Sequence, residues 1–484
     1  MSLIKQGGLN LSKSLTFNGI RKPWLMLLQG RQRAPFAPIQ RNLIHIQGRP
    51  GALLESSDVQ PLVIRQPIGF VVQSDEHALQ LKDELTSWLI TDNEVELQFD
   101  DEPGRTYYAL IQNSVEDFEK FSILRRGTLE FLCLDPYGYG TEKEVTFESS
   151  ASFDVEGTVE TEPIIEVTLN EDTEYVAVSN GEEINMVGFP AKQEEVPAPP
   201  ETQIFKTSGE NLIGWTNSSS ESLGDAPMTG VLKTDGNKFY TDDYGQDSWH
   251  WHGPAMKTSL SEPVQDFRFE IGFLLRKTGD GQAGSIEVSL LDSSNKMAAI
   301  LSVTKHFPGL DTIYPRINAG SGYADVINEN QYQFQREYGG IMKVIRKGNV
   351  WTGEIFYRSN DQWVLALRQS WTDTKGAVAA PVTQVQVRLS QRGDIGVVEQ
   401  WVDDIQVYRL NDLSADQVPI IGKASDKVVF DHANDNIMIN GESVIDKKAF
   451  IGNYFKLKPG RNNIAVEPVD KIQSAKLRYK PKYR

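Results

Sequence analysis

Apolar residues recur at every second position through most of this chain. In "DFRFEIGFLL", Phe267, Phe269, Ile271 and Phe273 alternate with Arg268, Glu270 and Gly272, the spacing that sets one face of a β-strand in a core and the other outside it. Similar runs, among them "LIHIQG", "EVELQFDD", "GTLEFLCLD", "GSIEVSLLD", "TQVQVRLSQ" and "WVDDIQVYRL", lie between Gly, Pro, Asp and Asn breaks. One stretch differs. In "SDEHALQLKDELTSWLI", residues 74–90, Ala78, Leu81, Leu85, Trp88 and Leu89 fall on one helical stripe, with Ser74 placed as N-cap and acids in the first turn. The expected fold is mainly β, beginning with a β-sandwich-like domain that carries one helix.

A chain of 484 residues is too long for one ordinary core, and about three domains are expected. "DPYGYG" closes the first, residues 1–140. Strands such as "PIIEVTL" follow, the pattern dissolves in the Pro-rich "AKQEEVPAPPETQ", 191–203, and comparable strands return only after residue 424. Neither piece closes a core alone, so 141–200 and 413–484 read as one split sandwich, interrupted at a surface loop by an inserted domain, 201–412. Strand–turn–strand regularity without helical period makes that insert a second, larger sandwich of jelly-roll type.

Charge is uneven. The net is −17, yet residues 1–54 hold eight Lys/Arg and no Asp or Glu. Dispersed among strand positions, these bases suit an acidic protein neighbour better than nucleic acid. The longest apolar runs fall far short of the roughly 20 residues that cross a bilayer, so no membrane insertion is expected. The start, "MSLIKQGGLNLSKSLTFNG", lacks the apolar h-region of a signal peptide, which points to synthesis and retention in the cytoplasm. The single cysteine, Cys133, sits among apolar neighbours and reads as a core residue.

No G-x-S-x-G, C-x-x-C, H-E-x-x-H, EF-hand or phosphate-loop pattern occurs. No catalytic residue, metal or cofactor is therefore assigned. In "WHWHG", 249–253, His250 and His252 stand two apart, on one face of a strand, as a metal pair would, with no third ligand in sight. Extended backbone there puts Trp249 and Trp251 together on the opposite face. A sugar ring presents C–H groups that pack on an indole. With Tyr240, Tyr244 and Asp247 able to hydrogen-bond hydroxyls, these tryptophans form the candidate carbohydrate site. The competing reading has them fill the core of the insert. Trp215, Trp351, Trp363 and Trp371 are further aromatic candidates.

Gly48-Arg49-Pro50-Gly51, set between apolar stretches, reads as a turn with little freedom. It belongs to an ordered series: "FNGI", "GRPGALLE", the helix ending "LKDELTSWLI", "ELQFDDEPGRTYYALI" and "GTLEFLCLDPYGYG". The series resembles the N-terminal domain of siphophage distal tail proteins, the Dit family, over roughly residues 15–140; Pro50 stands where that family usually has Asp. "EPIIEVT", "IMINGES" and "NYFKLKPGRNNIAV" are similar to the family's galectin-like C-terminal domain, and "WVDDIQVYRL" to the last strand of a concanavalin-like sandwich. The insert resembles the carbohydrate-binding modules of the larger, evolved members.

The resemblance implies a virion protein of the tail tip or baseplate. It implies a homo-hexameric ring joining the tail tube protein to the tail-tip or tail-associated lysin protein, with the GRPG turn keeping a strand pair, or a loop between strands, in the orientation the next subunit needs. DNA is a partner only in transit through the channel, and the insert is expected to bind host cell-wall glycan. The alternatives are a polysaccharide-degrading enzyme of the tail tip, or an insert that only braces the baseplate.

Overall fold

The computed structural model describes residues 13–113, 119–121, 123–218, 227–247, 249–320, 324–359 and 362–484. Its regular structure is dominated by antiparallel strands, with a single α-helix among the described residues. Two units emerge: residues 1–188 with 422–439 and 443–484, and residues 189–421 with 440–442.

In the first unit, Asn18 and Gly19 take left-handed φ values of 51° and 72°. Phe17 therefore turns straight back onto Ile20 in the two-residue hairpin that an Asn-Gly pair favours. The sheet continues in the order Ile20–Arg21, Leu15–Phe17, Val95–Phe99, Thr106–Asn113, Leu124–Cys133, Leu62–Val71 and Met26–Leu27. The helix spans Asp75–Leu89, and the Ser74 hydroxyl caps it by accepting the His77 N–H at 3.1 Å. Leu85, Trp88 and Leu89 enter the core of Phe17, Phe99 and Phe131. There the Trp88 indole donates to the Phe17 carbonyl at 3.1 Å. Cys133 belongs to the same core, and burial pushes its thiol up to about 12, which leaves it inert.

The basic N-terminal segment meets its acids inside the domain. Arg21 pairs with Asp100, Lys22 with Glu84, Arg31 with Asp101 and Glu102, and Arg33 with Glu102. The turn "DDEP" thus gathers three arginines, and the acidic neighbour expected from composition is, for these bases, the same chain. Residues 1–12, including Lys5 and the stretch in which a signal peptide was sought, lie outside the described residues.

The GRPG turn lies in the connection between strands Ile39–Ile44 and Leu53–Val59, which among the described residues pair only with each other. Gly48 and Gly51 both stand at φ 83°, where a Cβ is strained. Register shifts between Asn42 and Leu43. Leu43 and Ile44, being consecutive in the strand, then carry apolar side chains to both faces of the ribbon. Leu43, Ile44, Ile46, Leu53, Leu54 and Val59 are all exposed. A lone two-stranded ribbon is marginal in water, so this one calls for a surface to lie on.

Beyond Tyr139, strands from distant parts of the sequence interleave. Ile164–Leu169 pairs with Lys427–Asp431 on one side and Ile472–Tyr479 on the other, and Gly460–Glu467 lies between Ser150–Val155 and Tyr175–Ser179. Within this part His432 is buried, its ring 4.2 Å from that of Phe455, with Nδ1 3.2 Å from the Pro163 carbonyl. Burial lowers its pKa from 6.5 to about 4, outweighing the backbone contacts that favour the charged ring. The unfolded chain therefore binds the proton more tightly. Stability is expected to fall as pH drops from about 6.5 to about 4, by at most about 3 kcal/mol. Thermal unfolding midpoints at both ends of that window check it, since His432→Gln removes this part of the pH dependence.

In the second unit the Pro-rich stretch is extended and paired: Val196–Ala198 runs parallel to Gln417–Pro419, with Val196 opposite Gln417. Between these strands the chain builds two antiparallel sheets. One runs Val231–Thr234, Phe239–Asp243, Glu399–Leu410, Phe267–Arg276, Glu337–Lys347, Val350–Ser359 and Gln362–Thr372. The other runs Thr216–Asn217, Ala255–Val264, Val382–Arg392, Gln282–Asp292, Met297–Lys305, Thr312–Ala319 and Ala324–Ile327. Phe267, Phe269, Ile271 and Phe273 from the first join Ile286, Val288, Val385 and Val387 from the second in one core. Trp351 is buried in that core, edge-on to Phe267.

Candidate functional site

The alternation that buries Ile286, Val288 and Leu290 turns Ser285, Glu287 and Ser289 to the opposite face of the second sheet. Register places Ser390, Ser285, Thr304 and Tyr314 in one row across four strands, with Arg388, Glu287, Ser302 and Arg316 in the next. A polar face of this kind ordinarily meets solvent. Here Glu287 is 5% exposed, Ser302 4%, Arg388 2% and Ser390 3%. The face is recessed, and these side chains floor a cleft of about 110 Å³.

Trp251, His306 and Tyr314 also line this cleft, with Arg316 and Glu329. The short strand Trp251–His252 pairs with the end of Val382–Arg392, which sets Trp251 opposite Arg392. The Trp251 ring meets His306 edge-on at 6.2 Å, and His306 in turn lies 5.4 Å from Tyr314. His306 Nε2 is 3.2 Å from a Glu329 oxygen. The Ser285 and Thr304 hydroxyls are hydrogen-bonded at 2.7 Å.

Opposite charges are matched around the cleft. Burial lowers the pKa of Arg388, and the carboxylate of Glu287 opposes that shift. Arg316 Nε donates to Asp325 at 2.8 Å. Burial pushes Asp325 up, but hydrogen bonds from Arg316, Asn328 and Asn318 outweigh it and hold the carboxyl below its usual range. The cleft therefore offers many donors and acceptors, one indole and little net charge, a combination suited to an uncharged polyhydroxylated ligand.

The residues singled out from sequence are dispersed by the fold. Trp251 lines the cleft. Trp249 does not share its environment: the Asp247 carboxylate accepts the N–H groups of Trp249 and His250, each at 2.8 Å, bending the chain there and leaving Trp249 86% exposed. Those bonds hold Asp247 down to about 2, so its carboxylate serves the turn. Tyr240 lies on the other sheet, opposite Lys233. Tyr244 is buried in the sandwich core, its hydroxyl accepting from Gln400 at 3.1 Å, and burial raises it to about 12; its ring has no free face for a sugar.

The two histidines do not act as a pair. Continuous extension over 249–252 was required for that, and only Trp251–His252 is strand. His250 is exposed beside Asp247, whereas His252 is buried with Nδ1 against the His250 carbonyl. Among the described residues no group of three or more His, Cys, Asp or Glu is placed to hold a metal ion. Of the other tryptophans, Trp215 and Trp371 pack against the core that encloses Trp351.

Sequence reasoning missed the floor and most of the wall. Its only trace was the polar half of ordinary alternation, as in "GSIEVS" and "VQVRLS".

Residues 21–133 match the family model of the phage tail protein RIFT-related domain, and residues 405–483 that of the siphovirus-type tail component, C-terminal domain. No curated protein matches the chain. Among solved structures, the Dit protein of phage SPP1, described as a paradigm of the hub adsorption apparatus in phages infecting Gram-positive bacteria, is 11% identical. That alignment covers 98% of this chain and 99% of the other, with a TM-score of 0.39. The CBM2 module of the evolved Dit from Lactobacillus casei BL23 phage J-1 is 14% identical, covering 45% of this chain and all of that module, with a TM-score of 0.37. A legume lectin-like domain from Entamoeba histolytica, 11% identical, covers 43% of this chain and 99% of its own, with a TM-score of 0.27. The chain thus carries a match to a siphophage tail-protein domain toward each end, with a sandwich between them.

Proposed function

We propose that this protein is a baseplate hub: a homo-hexameric ring between the tail tube and the tail-tip protein, whose inserted sandwich holds cell-wall glycan of the host. In this reading residues 1–140 form the ring, 141–200 with 413–484 form a split galectin-like domain, and 201–412 reach the cell surface. The observation that carries the glycan assignment is the recessed polar face of the second sheet, with Trp251 at its edge. A sheet that needed only to be soluble would leave Glu287 and Arg388 in water. Burying them costs free energy that a bound polyhydroxylated ligand, replacing water hydrogen bond for hydrogen bond, would turn to use. The ring assignment draws on the exposed apolar ribbon of Leu43, Leu54 and their neighbours.

A second reading makes the insert a hydrolase, because Glu287 and Glu329 both line the cleft and glycosidases work with two carboxyl groups. The pairing of Glu329 with His306, and the setting of Glu287 beside Arg388, favour binding. Incubation of the full chain with purified host wall polymer separates the readings. Retention of protein on the polymer without new reducing ends is the expected result. New reducing ends establish the hydrolase, and absence of retention leaves the insert a structural brace.

A further inference from the structure

The cleft ends at a second group of side chains outside it. Arg392 follows the row that carries Ser390, and its guanidinium carbon lies 6.0 Å from the ring of Trp251 and 6.0 Å from the ring of Phe307. Its Nη1 donates to the His306 carbonyl at 2.7 Å, which fixes the guanidinium between the two rings. Phe307 is 51% exposed, which leaves part of its ring open to solvent beside Arg392. Its backbone is also held. Lys305, fully buried, donates to the Phe307 carbonyl at 2.7 Å and to the Gln282 carbonyl at 2.8 Å, and the Leu310 N–H closes a turn onto the same Phe307 oxygen.

We propose that Phe307 and Arg392 form a second sugar-binding position at the mouth of the cleft, so that the ligand is a chain of at least two sugars and not a lone terminal one. This rests on the carbohydrate reading above. The physical basis is an exposed apolar ring for sugar C–H groups on an anchored backbone, beside a planar fork of donors that suits adjacent hydroxyls. Trp251 lies between the two positions and serves both. The cleft, bounded by Arg316 and Glu329 toward the Tyr314 strand, takes one ring, and the chain leaves past Trp251 over Phe307.

The test uses the full chain, titrated with glucose, galactose, rhamnose, N-acetylglucosamine and N-acetylgalactosamine, and then with α- and β-linked disaccharides of each sugar that binds. The expected result is that one disaccharide binds about tenfold more tightly than its monosaccharide. Phe307→Ala then removes that gain and leaves monosaccharide affinity within about twofold. Arg392→Gln, retaining the fold if Phe307→Ala does not, should do the same. Equal affinity for the monosaccharide and all its disaccharides overturns the second position while leaving the cleft intact. So does a Phe307→Ala loss that falls on both ligands alike. Failure of every sugar to bind overturns the carbohydrate reading itself, and this inference with it.

Discussion

Glutamate at Leu43 and Leu54 together is expected to leave the protein monomeric under conditions in which the unaltered chain sediments as a hexamer. The two residues face each other across the ribbon and are exposed in the single chain. Substitution therefore removes no contact on which the protomer depends. In a ring the same side chains would be covered, and each buried leucine is worth about 1.5–3 kcal/mol. Losing both, and burying two carboxylates in their place, should weaken each subunit contact by a hundredfold or more. Closure of a ring multiplies that loss, because every contact in it is the same. Analytical ultracentrifugation of both proteins decides the matter: a hexamer that survives the double substitution removes the ribbon from the subunit interface.

Trp251→Ala is expected to abolish retention of the assembled protein on host wall polysaccharide. The indole is the largest of the three rings that line the cleft, beside His306 and Tyr314, and stacking on it orients the sugar against the polar floor. A loss of about ten- to hundredfold per site is modest alone, but retention depends on several sites engaging at once, and the product of their affinities collapses. Tyr244→Phe is the companion measurement. Its hydroxyl contacts Gln400 within the core, so retention should not change. Retention that tolerates Trp251→Ala in a folded protein would move the site elsewhere.

The architecture was legible because its determinants are local. Alternation in "DFRFEIGFLL" names a buried face whatever it packs against, the helical stripe from Ala78 to Leu89 could sit only against a core, and Ser74 is a cap by its position. The cleft was not legible, for a physical reason. Ser285, Glu287 and Arg388 are what any solvent-facing strand position carries, and only the register of four strands, one of whose pairings joins residues more than 100 apart in sequence, brings them into two rows. Asp247 shows the converse error. Its place beside two tryptophans suggested a ligand contact, but a short acid two residues before a backbone N–H is also the ordinary means of bending a chain, and that is its use. The early arginines misled similarly, since composition registers an excess of charge without revealing that the "DDEP" turn folds back upon it.

Val196–Ala198 and Gln417–Pro419 run side by side in the same direction. The excursion between them consequently departs from, and comes home to, points a single strand spacing apart, about 5 Å. Any module with neighbouring ends satisfies that condition, whatever its size. The clasp is a socket, and on the function proposed above a different binding module grafted into it would retarget the particle without a change to the domains on either side.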